Sequence, residues 1–375
     1  MNALNILVTN HALDIRAGTE LYVRDLAVSL LRRGHAPIVY SPKLGAVARE
    51  IRNATIPVVD DLAAIAAAPD IIHGHHNLET MTALLHFPHA PAVFFCHGWQ
   101  PWPEVPPQFP RILRYVAVDE TCRDRLVCEH AIPPARTRML LNFVDLERFT
   151  PRAPLPARPQ RALVFSNGAS TGNYLNEVRA ACAQHGLQLD VIGLRAANVA
   201  VEPELVLGQY DLVFAKARCA LEALAVGAAV VLCDEAGCGP LVTTVEFERL
   251  RRQNFGVRTL QEPAHADTLA REIARYDPHD AAEVSRRVRA TAGREEVVDE
   301  LIALYEEVLT EFAAQTGRDA DAEARATAAY LRWLSLHLRD EAAALDNSLT
   351  FRLRRALLRL PLLPKLSALA RKDAR

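Results

Sequence analysis

The residues best suited to chemistry stand at one turn. In FAKARCALEALAVGAAVVLCD (214–234), Lys216 and Arg218 fall where a strand gives way to a helix, and Glu222 sits one turn further in. Two cations at a helix N-terminus oppose the positive end of the helix dipole. The arrangement becomes favourable around a bound anion, which the free amides of a first helical turn also attract. In doubly wound sheets, ligands settle at the carboxyl ends of the strands, which is where this turn falls. A carboxylate one turn into the helix is poorly placed for phosphate, but it suits the vicinal hydroxyls of a ribose. Phosphate at the cations and a sugar at the acid together describe a nucleotide. The alternative is an Arg218–Glu222 pair at i,i+4 on a solvated face, with the cation first, which is the weaker orientation for such pairs.

Three further stretches carry chemical residue types. DIIHGHHN (70–77) holds His73, His75 and His76, but HxHH at a strand end is not a zinc spacing and no Cys or carboxylate set completes it, so no metal site is expected. His73 reads as a packed core residue, and His75 or His76 as a neighbour of a second substrate. GCG (237–239) lacks the GxGxxG spacing of a dinucleotide site; Gly239 is expected to permit a backbone turn beside the ligand. WQPWPEVPPQFPR (99–111) reads either as an aromatic groove on which a sugar stacks or as a rigid proline-braced loop.

The elements that must position these residues alternate. LNILVTN (4–10), PIVYS, DIIH, AVFFC and RYVAV are short apolar runs separated by helical or loop segments, the first helix running from about Thr19 to Arg33, with MLLNF (139–143) closing the series. This is the βαβ rhythm of a parallel sheet covered on both faces. TPRAPLPARPQ (150–160), with four prolines, denies helix and sheet alike and reads as a linker. A second alternation follows: RALVFSN (161–167), a helix ending at Gly186, LDVIG (189–193), DLVFA (211–215), a short helix and AVVLC (229–233). The expected architecture is α/β, with two doubly wound domains over residues 1–150 and 161–293. A helical C-terminal segment, 294–375, opens with an amphipathic helix to Gln315 and a mixed-charge helical stretch over 318–346.

That segment ends in SLTFRLRRALLRLPLLPKLSALARKDAR (348–375), where eight Lys/Arg face the single acid Asp373 and leucines alternate with arginines. Such a tail suits an anionic membrane surface; the alternative is a helix packed on the body with a solvated basic face. The net charge of the whole chain, −2, argues against general nucleic-acid binding. The seven cysteines form no CxxC pair and mostly fall in apolar runs, as reduced core thiols would. No apolar run reaches membrane-spanning length, and MNALNILVTNHALD reads as the start of a strand, not as a signal peptide.

ALEALAVGAAVVLCDEAGCGPLVT (220–243) resembles the donor-binding segment of family 4 glycosyltransferases. Four more stretches agree, in the family's order: AGTELYVRDLAVSLLRRGH (17–35), DIIHGHHN (70–77), FFCHGWQPW (94–102) and NFVDLERFTP (142–151). The resemblance covers roughly residues 4–315. It implies the GT-B fold, two Rossmann-like domains facing a cleft, with the N-terminal domain on the acceptor side and the C-terminal domain holding the donor. It implies transfer of a sugar from a nucleotide-sugar, UDP- or GDP-linked by first expectation, to a glycan or lipid-linked hydroxyl in cell-envelope polysaccharide synthesis. Retention of anomeric configuration, no obligatory metal and no cofactor follow from the same likeness, while the cysteines point to a cytoplasmic location and the basic tail to the inner face of the membrane. By it, Glu222 holds the ribose, His97 contacts the donor sugar or reacting centre, and Gly18 lets the N-terminal loop approach the diphosphate. Lys216 and Arg218, with Asn167 and Gly168, would meet the diphosphate. Two departures stand out. Phe214 occupies the position eight before Glu222 where the family has a second Glu, and SNGASTGN (166–173) replaces the usual Arg and Lys. A nucleotide-sugar epimerase of the same fold, or a non-catalytic nucleotide-sugar-binding protein, remain as alternatives.

Overall fold

The structure is a computed structural model that describes residues 3–315 and 319–347. The basic tail 348–375 lies outside the described residues. Residues 3–106 and 111–315 form one compact unit, and residues 107–110 and 319–347 belong to a second.

The first unit is built on two sheets. Strands β1 (Asn5–Thr9), β2 (Ala36–Tyr40), β3 (Val58–Val59), β4 (Ile71–His75), β5 (Ala92–Cys96), β6 (Ile112–Ala117) and β7 (Thr137–Met139) form a seven-stranded sheet in the order β3-β2-β1-β4-β5-β6-β7. Every pairing in it is parallel. Strands β8 (Arg161–Phe165), β9 (Gln188–Ile192), β10 (Leu212–Ala215), β11 (Ala229–Asp234) and β12 (Gly237–Leu241) form the second, ordered β12-β11-β10-β8-β9. It is parallel except for the β11–β12 hairpin. Parallel strands buried on both faces read as continuous apolar runs, which is why β1, β5, β8 and β11 stand out in the sequence. MLLNF forms no strand of its own: β7 ends at Met139, and the chain then turns toward the second sheet.

GCG is not a turn. It lies in β12, on the antiparallel edge, and a Cβ at Gly239 would stand 2.5 Å from the Thr259 carbonyl oxygen. The glycine is there because another backbone segment crosses it closely. Pro240 is tolerated because the strand is at an edge.

Strand β10 alternates between the faces of its sheet. Leu212 and Phe214 enter the core beneath the Leu175–Gln184 and Ala266–Ile273 helices, while Val213 and Ala215 enter the core beneath the Ala217–Val226 helix. Phe214 is therefore fully buried in the domain core, and position 214 offers no side chain to the cleft.

Two chain segments pass side by side between the sheets. The Val144 amide donates to the Ala292 carbonyl at 2.8 Å, and the Arg294 amide to the Val144 carbonyl at 3.0 Å. The buried Arg294 guanidinium meets Asp145 at 2.5 Å. Beyond this crossing, the Arg294–Ala314 helix packs on the N-terminal sheet domain. Arg33 binds Glu295 and Asp299, Arg114 binds Glu307 and Glu311, and the Tyr305 hydroxyl reaches His73 at 2.5 Å. The sequence reading grouped this helix with the tail; the structure joins it to the first unit.

The linker 150–160 forms no regular element but is pinned, since Arg152 donates to the Tyr210 carbonyl and to Asp211. In the second unit, the Ala320–Asn347 helix stacks Trp333 on His337, ring centroids 5.9 Å apart.

Candidate active site

In a sheet whose second strand lies outside its first, the crevice opens where the strand order reverses. In the C-terminal sheet that point lies between β8 and β10. Beyond β8 come Ser166, Asn167 and Gly168; beyond β10 come Lys216, Ala217 and Arg218. These residues line one cavity of about 280 Å³, with Asp234 at the end of β11. Burial and sheet order thus bring together four positions picked from the sequence, Asn167, Gly168, Lys216 and Arg218.

The turn itself is strained. Ala217 adopts φ +49°, and its amide donates to the carbonyl of Phe255, which with Asn254 is also left-handed, at φ +51° and +50°. Left-handed non-glycine residues cost about 1–3 kcal/mol each and persist where the surroundings over-determine them. Lys216 is the N-cap of the Ala217–Val226 helix, and its ammonium pairs with Asp234 while staying partly exposed. Asn167 is exposed; its side chain donates to the Arg16 carbonyl and accepts the Leu194 amide, both at 3.3 Å, so it bridges toward the N-terminal domain. The Gly168 amide donates to Ser166 Oγ at 3.2 Å.

Arg218 and Glu222 pair with each other, the arrangement that the sequence left as the alternative. Arg218 Nε donates to Glu222 Oε1 at 2.7 Å, and Nη2 to Asp25 Oδ2 at 2.5 Å. The face is not solvated: the side chains of Arg218, Glu222 and Asp25 are 14%, 6% and 4% exposed. Arg24 holds the other oxygen of Asp25 at 2.6 Å. The Arg218 charge is thus balanced by two carboxylates, one from each sheet domain. Burial pushes the Glu222 carboxyl up, and Arg218 pulls it back. Burial likewise opposes the charge of Asp25, but Arg218 and Arg24 bring it below the ordinary carboxylate range. Glu222 also lines a small cavity of about 100 Å³ shared with Gly18, Asn167, Phe165 and Ile192.

Across the cleft, a larger cavity of about 390 Å³ takes its walls from both domains: Gly18, His97 and Trp99 on one side, Lys216, Arg218 and Asp234 on the other. Gly18 opens the Gly18–Arg32 helix, and a Cβ there would meet nothing within 4 Å. Its missing side chain leaves room in the cavity and is not demanded by packing. His97 follows the end of β5; its Nε2 turns inward to His75 Nδ1 at 2.9 Å, and Tyr22 stands edge-on to its ring. Burial, with His76 nearby, holds its imidazole down at about 3, so it is neutral at ordinary pH. Trp99 is 41% exposed, and Trp102 opens a short 3₁₀ turn that carries the buried Glu104. His73 and His75 are wholly buried; His76 is nearly so, with φ +63°.

Residues 16–148 match the family model described as Glycosyltransferase Family 4. That match is confined to the N-terminal sheet domain, and the two sheets together have the GT-B architecture. A glycosyltransferase from Rickettsia africae ESF-5 superposes with a TM-score of 0.61 at 15% identity, over 82% of this chain and 99% of that one. Anabaena HepE, solved in complex with UDP and glucose, superposes at 0.59 and 13% identity, over 81% of this chain and 100% of its own. A proposed UDP-N-acetylglucosamine 2-epimerase from Listeria monocytogenes superposes at 0.50 and 12% identity, over 81% and 96%. At these identities the likeness is one of fold. No curated protein matches the chain in sequence.

Within this GT-B frame, sequence reasoning missed Asp25, Asp119, Asn142, Asp234 and the His75–His97 bond. Asp119, Asn142 and Asp234 all line the larger cavity. Asp234 was legible in principle, since it is a charged residue ending the apolar run AVVLC, beside the turn of interest. Asp25 carries no local signal, because its partner Arg218 is 193 residues away.

Proposed function

We propose that this protein transfers a sugar from a nucleotide-sugar to an acceptor hydroxyl, with retention and without a metal. The observation that carries the reading is the meeting of Asn167, Gly168 and Lys216 at the C-terminal switch point, in a cavity that abuts one walled by His97 and Gly18 of the other domain. The diphosphate occupies the switch-point cavity. Lys216 exchanges Asp234 for phosphate oxygens, and the first-turn amides beyond Ala217 add donors. Charge developing on the leaving diphosphate is met by donors already in place, the usual source of large rate effects. Arg218 acts chiefly by orienting Glu222, whose carboxylate takes the ribose hydroxyls at the smaller cavity. The sugar lies in the larger cavity, against His97.

The acceptor is a glycan or lipid-linked hydroxyl. The tail 348–375 supports work at the inner face of a membrane, where each Lys or Arg near an anionic surface contributes about 1 kcal/mol. Among the described residues no helix is long and apolar enough to cross a membrane. The test is a thermal-shift series with UDP, GDP, ADP and dTDP on the native chain and on Lys216→Ala. A ligand that binds only the folded state raises the melting temperature in step with its excess over Kd. One nucleotide should stabilise the native chain, and Lys216→Ala should weaken it about 10–100-fold, the worth of one hydrogen bond to a charged group. No shift with any nucleotide, or an undiminished one in the variant, refutes the site. Turnover of the nucleotide-sugar without an acceptor would favour an epimerase, and binding without turnover a non-catalytic protein.

A further inference from the structure

Three imidazoles stand in a row from the cleft into the core. His73 and His75, two apart on β4, share one face of the sheet. Their ring centroids lie 4.6 Å apart, and those of His75 and His97 lie 4.8 Å apart with planes at 28°. Tyr22 stands edge-on to both His75 and His97, at 5.5 and 4.8 Å, and fixes the two rings relative to each other. The bond from His97 Nε2 to His75 Nδ1, at 2.9 Å, joins the row to the cleft.

The protons in that bond can be placed by elimination. A neutral imidazole carries one N–H and one acceptor nitrogen. His75 is wholly buried, and its Nε2 has no hydrogen-bond partner among the described residues. A proton on Nε2 would leave a buried donor orphaned; a proton on Nδ1 leaves only a lone pair unmatched. Orphaned buried N–H groups are the rarer of the two in folded proteins. His75 therefore donates from Nδ1, and His97 accepts at Nε2. A neutral His97 must then carry its own proton on Nδ1. That atom has no protein partner among the described residues, and the ring lines the cavity of about 390 Å³.

We infer that His75 is a positioning residue that holds His97 in its Nδ1–H form, so that His97 faces the cleft as a hydrogen-bond donor to an oxygen of the bound sugar nucleotide. The ligand half of this inference rests on the proposed function; the tautomer half does not. His97 in this form is a donor and not a general base. The row does not pass protons inward, because burial also holds His73 and His75 well below their ordinary range.

Nitrogen NMR of protein labelled in its histidine rings tests both halves, since protonated and bare ring nitrogens have separate shifts. Without ligand, His97 should show a protonated Nδ1 and a bare Nε2. His75→Met, of similar size, whose thioether can accept but not donate, should draw the proton of His97 to Nε2. His75→Gln, whose amide can donate, should restore Nδ1–H. In a transfer assay, His75→Met should lower kcat about 10–100-fold, comparable to losing one preorganised donor, with KM changed much less. The Gln variant should recover most of that loss. A bare Nδ1 on His97 in the native chain overturns the inference, whether or not either variant folds. So does an Nδ1–H that His75→Met leaves in place. If the tautomer is as inferred but no nucleotide-sugar shifts the His97 resonances, the ligand half fails together with the proposed function.

Discussion

Replacing Arg218 by Met keeps most of the side-chain volume and removes the charge between two buried carboxylates. Asp25 keeps Arg24, 2.6 Å away. Glu222 loses the one cation bonded to it among the described residues, and at 6% side-chain exposure it cannot recover its hydration. It then folds by taking a proton. Neutralising a carboxylate with an unfolded-state pKa near 4.3 costs about 1.4 kcal/mol per pH unit above that value, hence about 3–4 kcal/mol at pH 7. This agrees with the roughly 3–5 kcal/mol lost when one partner of a buried ion pair is removed. The sign follows from linkage: a folded pKa raised above the unfolded one gives stability that is present at low pH and lost as pH rises. Urea unfolding of Arg218→Met and the native chain, compared at pH 5, 6 and 7, should show a gap that widens with pH, by at most about 1.4 kcal/mol per unit, since the native Glu222 carboxyl is itself raised by burial. Adding Glu222→Gln, which removes the stranded charge, should close most of the gap at pH 7. A gap equal at pH 5 and pH 7, or one that Glu222→Gln leaves untouched, would refute the claim that Glu222 depends on Arg218 for its charge.

Two other perturbations follow from the same geometry. Burial raises the Glu104 carboxyl to about 7, although its Oε2 accepts the His97 amide at 2.9 Å; Glu104→Gln should therefore gain stability relative to the native chain as pH rises from 4.5 through 7, by up to about 3 kcal/mol at pH 8, read by urea titration at pH 5 and 8. A Cβ at Gly193 would fall within 1.9 Å of the Ser166 carbonyl oxygen, so Gly193→Ala should displace the Ser166–Gly168 loop, destabilise by about 1–3 kcal/mol and weaken nucleoside diphosphate binding, measured by calorimetry; unchanged binding would show that the loop does not touch the nucleotide.

The legibility of this cleft in the sequence depends on how far apart its partners lie. Parallel strands declare themselves because both of their faces are buried, and the position of Lys216 at the end of DLVFA follows from that run alone. The i,i+4 pairing of Arg218 with Glu222 is equally local, yet its weight is not: the sequence placed it on a solvated face, whereas the chain buries it against a helix 193 residues away. Burial changes what the residues can do. An exposed Arg218–Glu222 pair would contribute only a few tenths of a kcal/mol, and its arginine would be free to meet phosphate. A buried one, closed by Asp25, commits the arginine to holding a carboxylate charged and leaves Lys216 as the more available cation of the turn. The same logic governs His97. Its position beyond AVFFC is readable from the apolar run, but its proton is set by His75 on the neighbouring strand, through a nitrogen whose lack of a partner only the packed core reveals. The chemistry open to this cleft thus rests on residue types that the sequence displays and on charge and tautomer states that are fixed only when the two sheets meet.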